Sequence, residues 1–95
     1  MNSIKKWLQD ISWGNWSIEV ASADASFRSY YRLRKENETY ILMDSSKLLE
    51  SLPPFVDMNE RLSEVGVRVP RIIVKNMKLG YLILEDFGST HYLNI

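Results

Sequence analysis

Ninety-five residues with 45% hydrophobic and 25% charged content describe one small globular domain with a single modest core. Twelve Lys+Arg balance twelve Asp+Glu, which argues against a general nucleic-acid binder, whose surface is normally basic. Zero cysteines and one histidine, His91, exclude a disulfide scaffold, thiol catalysis, Cys-ligated zinc and a multi-histidine metal site.

The amino terminus reads as a helix over residues 3–12, with Ile4, Trp7, Leu8 and Ile11 on one face. Gly14 follows as a stop. All three tryptophans, Trp7, Trp13 and Trp16, fall in this first stretch, as expected of indoles filling a seam between helix and domain. Lys5 and Lys6 make too thin a polar face for a membrane-surface helix. They are followed by Gln9 and Asp10 where a signal peptide would need apolar residues. The longest apolar runs, Tyr40 to Met43 and Tyr81 to Leu84, fall far short of the ~20 residues of a spanning helix. A cytoplasmic domain without membrane contact is expected.

From residue 16 the period changes to two. Trp16, Ile18 and Val20 alternate with Ser17 and Glu19, a half-buried strand. Ala21 to Ser26 is small and polar, a tight connection. Phe27 to Lys35 alternates again, with Phe27, Tyr31 and Leu33 on one face and Arg28, Arg32 and Arg34 on the other. Glu36-Asn37-Glu38 turns the chain into a third strand, Thr39 to Asp44. Pro53 and Pro54 open a helix over 54–66, where Phe55, Met58, Leu62 and Val65 form the expected buried stripe and Gly66 the cap. Arg71–Lys75 and Tyr81–Glu85 are strands around a turn. The second lacks polar alternation, so it belongs in the middle of a sheet. The expected class is α+β: a five-stranded antiparallel sheet with helix 54–66 across one face and helix 3–12 at its edge.

Three segments then carry a resemblance: Asp24-Ala25-Ser26-Phe27-Arg28-Ser29-Tyr30-Tyr31-Arg32, Ile41-Leu42-Met43-Asp44 and Leu82-Ile83-Leu84-Glu85-Asp86-Phe87-Gly88. They resemble the aminoglycoside-phosphotransferase-like kinases. Within them they are most similar to the branch that phosphorylates the anomeric carbon of N-acetylmuramate and N-acetylglucosamine in bacterial cell-wall recycling; Thr90-His91-Tyr92-Leu93 looks like that branch's continuation after the hinge. The resemblance implies a protein-kinase-like amino-terminal lobe over residues 1–95, binding ATP with Mg²⁺. The catalytic and metal-binding aspartates and most sugar contacts would lie in a larger second lobe beyond Ile95. This chain alone is then expected to lack turnover, with no catalytic and no metal-ligating residue of its own.

Phosphoryl transfer needs backbone N–H groups near the phosphates. Protein kinases use glycines in the first turn; here Ala23, Asp24, Ala25 and Ser26 stand there, with Asp24 expected to fold back as an Asx-turn. An ordinary hairpin turn explains the same residues on chemistry alone. A lysine on the third strand would normally reach the phosphates, but the resemblance places Met43 in that slot. Arg28, just after the turn with Phe27, is the expected substitute, since guanidinium binds phosphate oxygens bidentately. Arg32, Lys47 and the orienting glutamates Glu60 and Glu64 are looser candidates, and Arg34 reads as solvated. By resemblance the Glu85 carbonyl and Phe87 N–H would bind adenine, with Leu84 behind it and Ile18 and Leu42 or Ile41 as apolar walls. Plain core packing accounts for those apolar residues equally. Glu85 and Asp86 are discounted as a metal site, because adjacent strand residues point to opposite faces.

Two other readings stay open: the lobe of a related aminoglycoside, choline or sugar kinase, and a non-catalytic interaction module that kept the fold. Apolar surface around Phe55, Tyr81 and Phe87 is expected to promote a homo-oligomer.

Overall fold

A computed structural model describes residues 2–22 and 27–87. The elements run α1 (Asn2–Asp10), β1 (Ser17–Ser22), β2 (Ser29–Lys35), β3 (Glu38–Asp44), α2 (Leu52–Glu64), β4 (Ile72–Asn76) and β5 (Tyr81–Glu85), with a single 3-10 turn at Leu49–Ser51 leading into α2. The five strands form one sheet in the order β1-β2-β3-β5-β4, and every neighbouring pair is antiparallel. The sheet is that of a kinase amino-terminal lobe, as the sequence led one to expect.

Strand alternation sends two sets of apolar side chains to opposite faces. Tyr30, Ile41, Met43, Leu82 and Leu84 pack with Leu52 and Val56 of α2. Leu33, Leu42, Tyr81 and Ile83 pack with Ile4, Trp7 and Leu8 of α1. Leu82, Ile83 and Leu84 are essentially without solvent contact, because β5 lies between β3 and β4 and is covered on both sides. The central position expected for that uninterrupted apolar run is therefore observed.

Helix α1 departs from its expected place. It lies across the second face of the sheet, not at its edge. The reason is in β5 and β3: Tyr81, Ile83 and Leu42 form a second apolar face, and such a face has to be buried against another layer. Burial of Tyr81 beneath α1 raises its phenol pKa above the ordinary 10.0, reinforced by the nearby Asp44 carboxylate and opposed by a hydrogen bond with the Ser3 side chain. Tyr81 is thus no part of an uncovered patch, contrary to the sequence reading. Among the described residues the large apolar side chains left exposed are instead Val20, Leu49, Met58, Val65, Val67, Met77 and Leu79.

The buried stripe of α2 is also shifted. Leu52, Val56 and Asn59 face the sheet, whereas Met58 is 50% and Val65 75% exposed. The helix begins earlier than the two prolines, which occupy its first turn, where a missing N–H costs nothing. That adds Leu52 to the packing face. Asn59 is admitted to the core because its amide donates to the Pro70 carbonyl at 3.0 Å, a partner that no periodicity count can see. Beyond α2, Gly66 adopts φ +89° and the Val67 N–H reaches back to the Leu62 carbonyl at 2.9 Å, the closing bonds of a left-handed helix cap.

Two smaller departures sit at the sheet's first edge. Val20 is 61% exposed, since α1 is only nine residues long and leaves the far end of edge strand β1 uncovered. Phe27 precedes β2 and does not share the strand face of Tyr31 and Leu33.

Gly80 closes the β4–β5 turn at φ +88°, and a Cβ there would stand 2.7 Å from Leu49 Cδ2 and 2.9 Å from both Ser46 Cα and Ser46 N. Backbone cannot yield as a flexible side-chain tip can. Gly80→Ala is therefore expected to destabilise the fold by about 1–3 kcal/mol, read as a fall in urea midpoint, while Gly66→Ala, with open space around it, pays only for its backbone angle.

Candidate nucleotide site

The residues proposed to hold a nucleotide divide between the two faces. Cross-strand register sets Arg32 opposite Ile41, Ile41 opposite Leu84 and Leu84 opposite Ile72, one row on the α2 side. Tyr30, Met43 and Leu82 form the next row on that side. Leu42, wholly buried, and half-buried Ile18 belong to the α1 side, so they cannot share a surface with Leu84. Of the two alternatives for the apolar wall, Ile41 is the one on Leu84's face. A cavity of ≈ 220 Å³ opens on this side, lined by Tyr30, Phe55, Met58, Leu62, Pro70 and Leu84 among others.

Asp24, Ala25 and Ser26 lie outside the described residues. Just after them, Arg28 is tied down. Its Nε donates to Ser45 Oγ at 3.1 Å and its Nη2 to the Ser51 carbonyl at 3.3 Å. The guanidinium carbon stands 5.0 Å from the Phe27 ring centre and 4.9 Å from that of Phe55. These contacts join the end of the β1–β2 connection to the end of β3 and the entry to α2. Among the described residues no carboxylate pairs with Arg28; Glu60 and Glu64 line a separate depression with Arg71 and Ile72.

Met43, which the resemblance set in the place of a kinase lysine, is wholly buried between Tyr30 and Leu82. No cation reaches the site from that position. Asp44 closes a turn by accepting the Ser46 N–H at 2.9 Å. Arg34 pairs with Glu19 at 3.0 Å on the surface, both about half exposed, where an ion pair contributes little. That is the solvated role its place in the sequence suggested.

The two adjacent carboxylates at the end of β5 do diverge. Glu85 Oε1 accepts the Arg71 N–H at 3.1 Å, toward β4. Asp86 accepts Arg32 twice, Nε to Oδ2 at 2.7 Å and Nη2 to Oδ1 at 3.3 Å, with side-chain exposures of 17% for the arginine and 5% for the aspartate. Among the described residues no group of three or more acidic or histidine side chains is placed to hold a metal ion. Phe87 lies under the Arg68 guanidinium, 4.6 Å from ring centre to carbon. The Arg32–Asp86 pair escaped the sequence reading because 54 residues separate its partners; only a paired register makes them neighbours.

This arrangement defines a class. Residues 17–94 match the phosphotransferase enzyme family, and the chain belongs to it. Its curated relatives share a single name. It is 36% identical over 90 residues to an N-acetylmuramate/N-acetylglucosamine kinase of Pseudomonas putida, covering 92% of this chain and 26% of the relative. To the protein of that name in Pseudomonas aeruginosa it is 39% identical over 75 residues, 79% of this chain and 22% of the relative. A third, from Neisseria meningitidis, is 29% identical over 92 residues, 95% of this chain and 27% of the relative. The chain thus spans about a quarter of the length of the curated relatives it matches. No solved structure matches it significantly. Among the described residues no helix is long and apolar enough to cross a membrane.

Proposed function

We propose that these residues form the ATP-binding lobe of an amino-sugar 1-kinase acting in the cytoplasm in bacterial cell-wall recycling. The carrying observation is the α2-side row of Arg32, Ile41 and Leu84 leading to the β5 exit, within a chain whose relatives bear an amino-sugar kinase name. Leu84 lines the apolar cavity on the α2 side, the kind of wall a purine requires, and Glu85 and Phe87 supply backbone polar groups at its margin. In this reading buried Ile41 backs Leu84 from the same face, which Leu42 and Ile18 cannot do from the other. ATP fits these residues. Mg²⁺ finds no ligand set among them, so its ligands, the catalytic aspartate and the sugar contacts are assigned to a second lobe. Phosphate recognition falls to the backbone of residues 24–26 and to Arg28.

Grafting residues 1–95 in place of the matching segment of the Pseudomonas putida relative tests the proposal. The chimera is expected to convert N-acetylmuramate and ATP to the sugar 1-phosphate. The 95-residue chain by itself is expected to bind ATP weakly and to form no sugar phosphate, because the γ-phosphate lacks half of its preorganised electrostatic partners. A folded but inactive chimera, or steady-state phosphorylation by the short chain, would show the reading to be wrong.

A further inference from the structure

We propose that the Arg32–Asp86 ion pair is a pin that fixes the direction in which the chain leaves β5, and that this rigidity selects the purine read there. The second half rests on the nucleotide reading above; the first does not.

Three successive residues at the β5 exit are held by two different parts of the fold, the α2–β4 connection and β2. The Glu85 N–H donates to the Arg71 carbonyl at 2.9 Å and its carboxylate accepts the Arg71 N–H at 3.1 Å, both just before β4. Asp86 is bound across β3 by Arg32 of β2, through two contacts of 2.7 and 3.3 Å. Phe87 is capped by Arg68 of the α2–β4 connection. A two-pronged guanidinium–carboxylate contact restricts rotation as well as distance. A single long-range hydrogen bond would not.

Stability alone gives little reason for such a pair. Desolvating two charges costs several kcal/mol per ion, and an apolar pair of similar volume is often as stable or more so. What the pair adds is a fixed position for Asp86, flanked by the two residues proposed to read the base. Adenine presents a donor at N6 beside an acceptor at N1, whereas guanine presents an acceptor at O6 beside a donor at N1. Backbone alternates carbonyl and N–H, so a chain free to shift by one group could serve either base. A pinned chain rejects guanine, because mispaired buried polar groups are costly to leave.

Asp86→Asn and the double variant Arg32→Leu/Asp86→Leu test this, read first by native-state amide exchange without nucleotide. In Asp86→Asn, exchange at Glu85 is expected to rise about tenfold more than at Leu82 and Ile83, the equivalent of losing one charge-assisted hydrogen bond. The apolar double variant is expected to recover the thermal midpoint while Glu85 stays fast. A uniform rise along β5, no rise, or restored protection in the double variant would make the pair a structural filler and overturn the pin. Should Asp86→Asn fail to fold, the double variant alone decides. Titration with MgATP and MgGTP, followed at the Glu85 and Phe87 amides, reads the second half. The wild-type chain is expected to favour ATP, and both variants to lose about tenfold of that preference. An unchanged preference overturns base selection with the nucleotide reading intact; a wild-type chain that shifts with neither nucleotide overturns both, leaving the pin to stand on exchange.

Discussion

Trp7→Ala is expected to cost about 3–5 kcal/mol, the range for deleting a large buried aromatic. A domain of this length has only about 5–14 kcal/mol in total, so the variant should sit close to its unfolding threshold. Trp7 is 5% exposed, its ring centre 5.3 Å from that of Tyr81 at 46°. With Ile4 and Leu8 it covers Leu33, Leu42 and Ile83. Removing the indole empties the middle of the seam and readmits water to the Tyr81 phenol, so the ionisation of that tyrosine should move back toward 10.0. Trp13 is the contrast. It stacks on Trp16 at 4.6 Å and 23° but remains half-exposed, so Trp13→Ala should cost nearer ~1 kcal/mol. Urea unfolding followed by circular dichroism measures both, and a phenolate absorbance titration follows Tyr81. Equal costs at the two positions would mean that α1 is not a true layer of the fold.

The difference between those tryptophans marks how far the sequence could be read. Periodicity found the two α-helices and the five strands, though not the 3-10 turn at Leu49–Ser51, because strand alternation and the Ile4–Trp7–Leu8–Ile11 spacing are local properties. The place of α1 was not local: it follows from β5 being apolar on both faces, and Tyr81-Leu82-Ile83-Leu84 says only that two covers are needed, not which element supplies each. The stripe of α2 was misread by one position because Asn59, a polar residue, is buried through its bond to Pro70. The site divides the same way. Leu84, Glu85 and Phe87, proposed for the site, could be named from a short motif. That Ile18 and Leu42 face away from them follows from strand parity combined with register. The Arg32–Asp86 pair and the Arg28 contacts both join elements distant in sequence, and composition carries no trace of such contacts before the sheet is paired.

Arg28→Ala is expected to lower sugar phosphorylation by roughly 10- to 100-fold in the two-lobed chimera, on the basis that hydrogen bonds to charged groups contribute about 1.5–3 kcal/mol. Arg34→Ala should change little, since its partner Glu19 is half exposed and the exchange leaves nothing buried unpaired. Two mechanisms meet at Arg28. Its bonds to Ser45 and the Ser51 carbonyl hold the segment entering β2 against the end of β3 and the entry to α2. Its charge, standing where Met43 provides none, is proposed to attract the phosphates. Arg28→Lys separates them. Lysine keeps the charge but loses the planar fork that engages Ser45 and Ser51 together, so it should recover part of the activity if phosphate attraction dominates and none if the fork's positioning does. The expected order of kcat/KM for ATP is wild type, then Arg28→Lys, then Arg28→Ala, with thermal midpoints confirming that each variant is folded. Should Arg28→Ala and Arg34→Ala behave alike, Arg28 is a structural tie only, and the phosphate cation must be supplied by the second lobe.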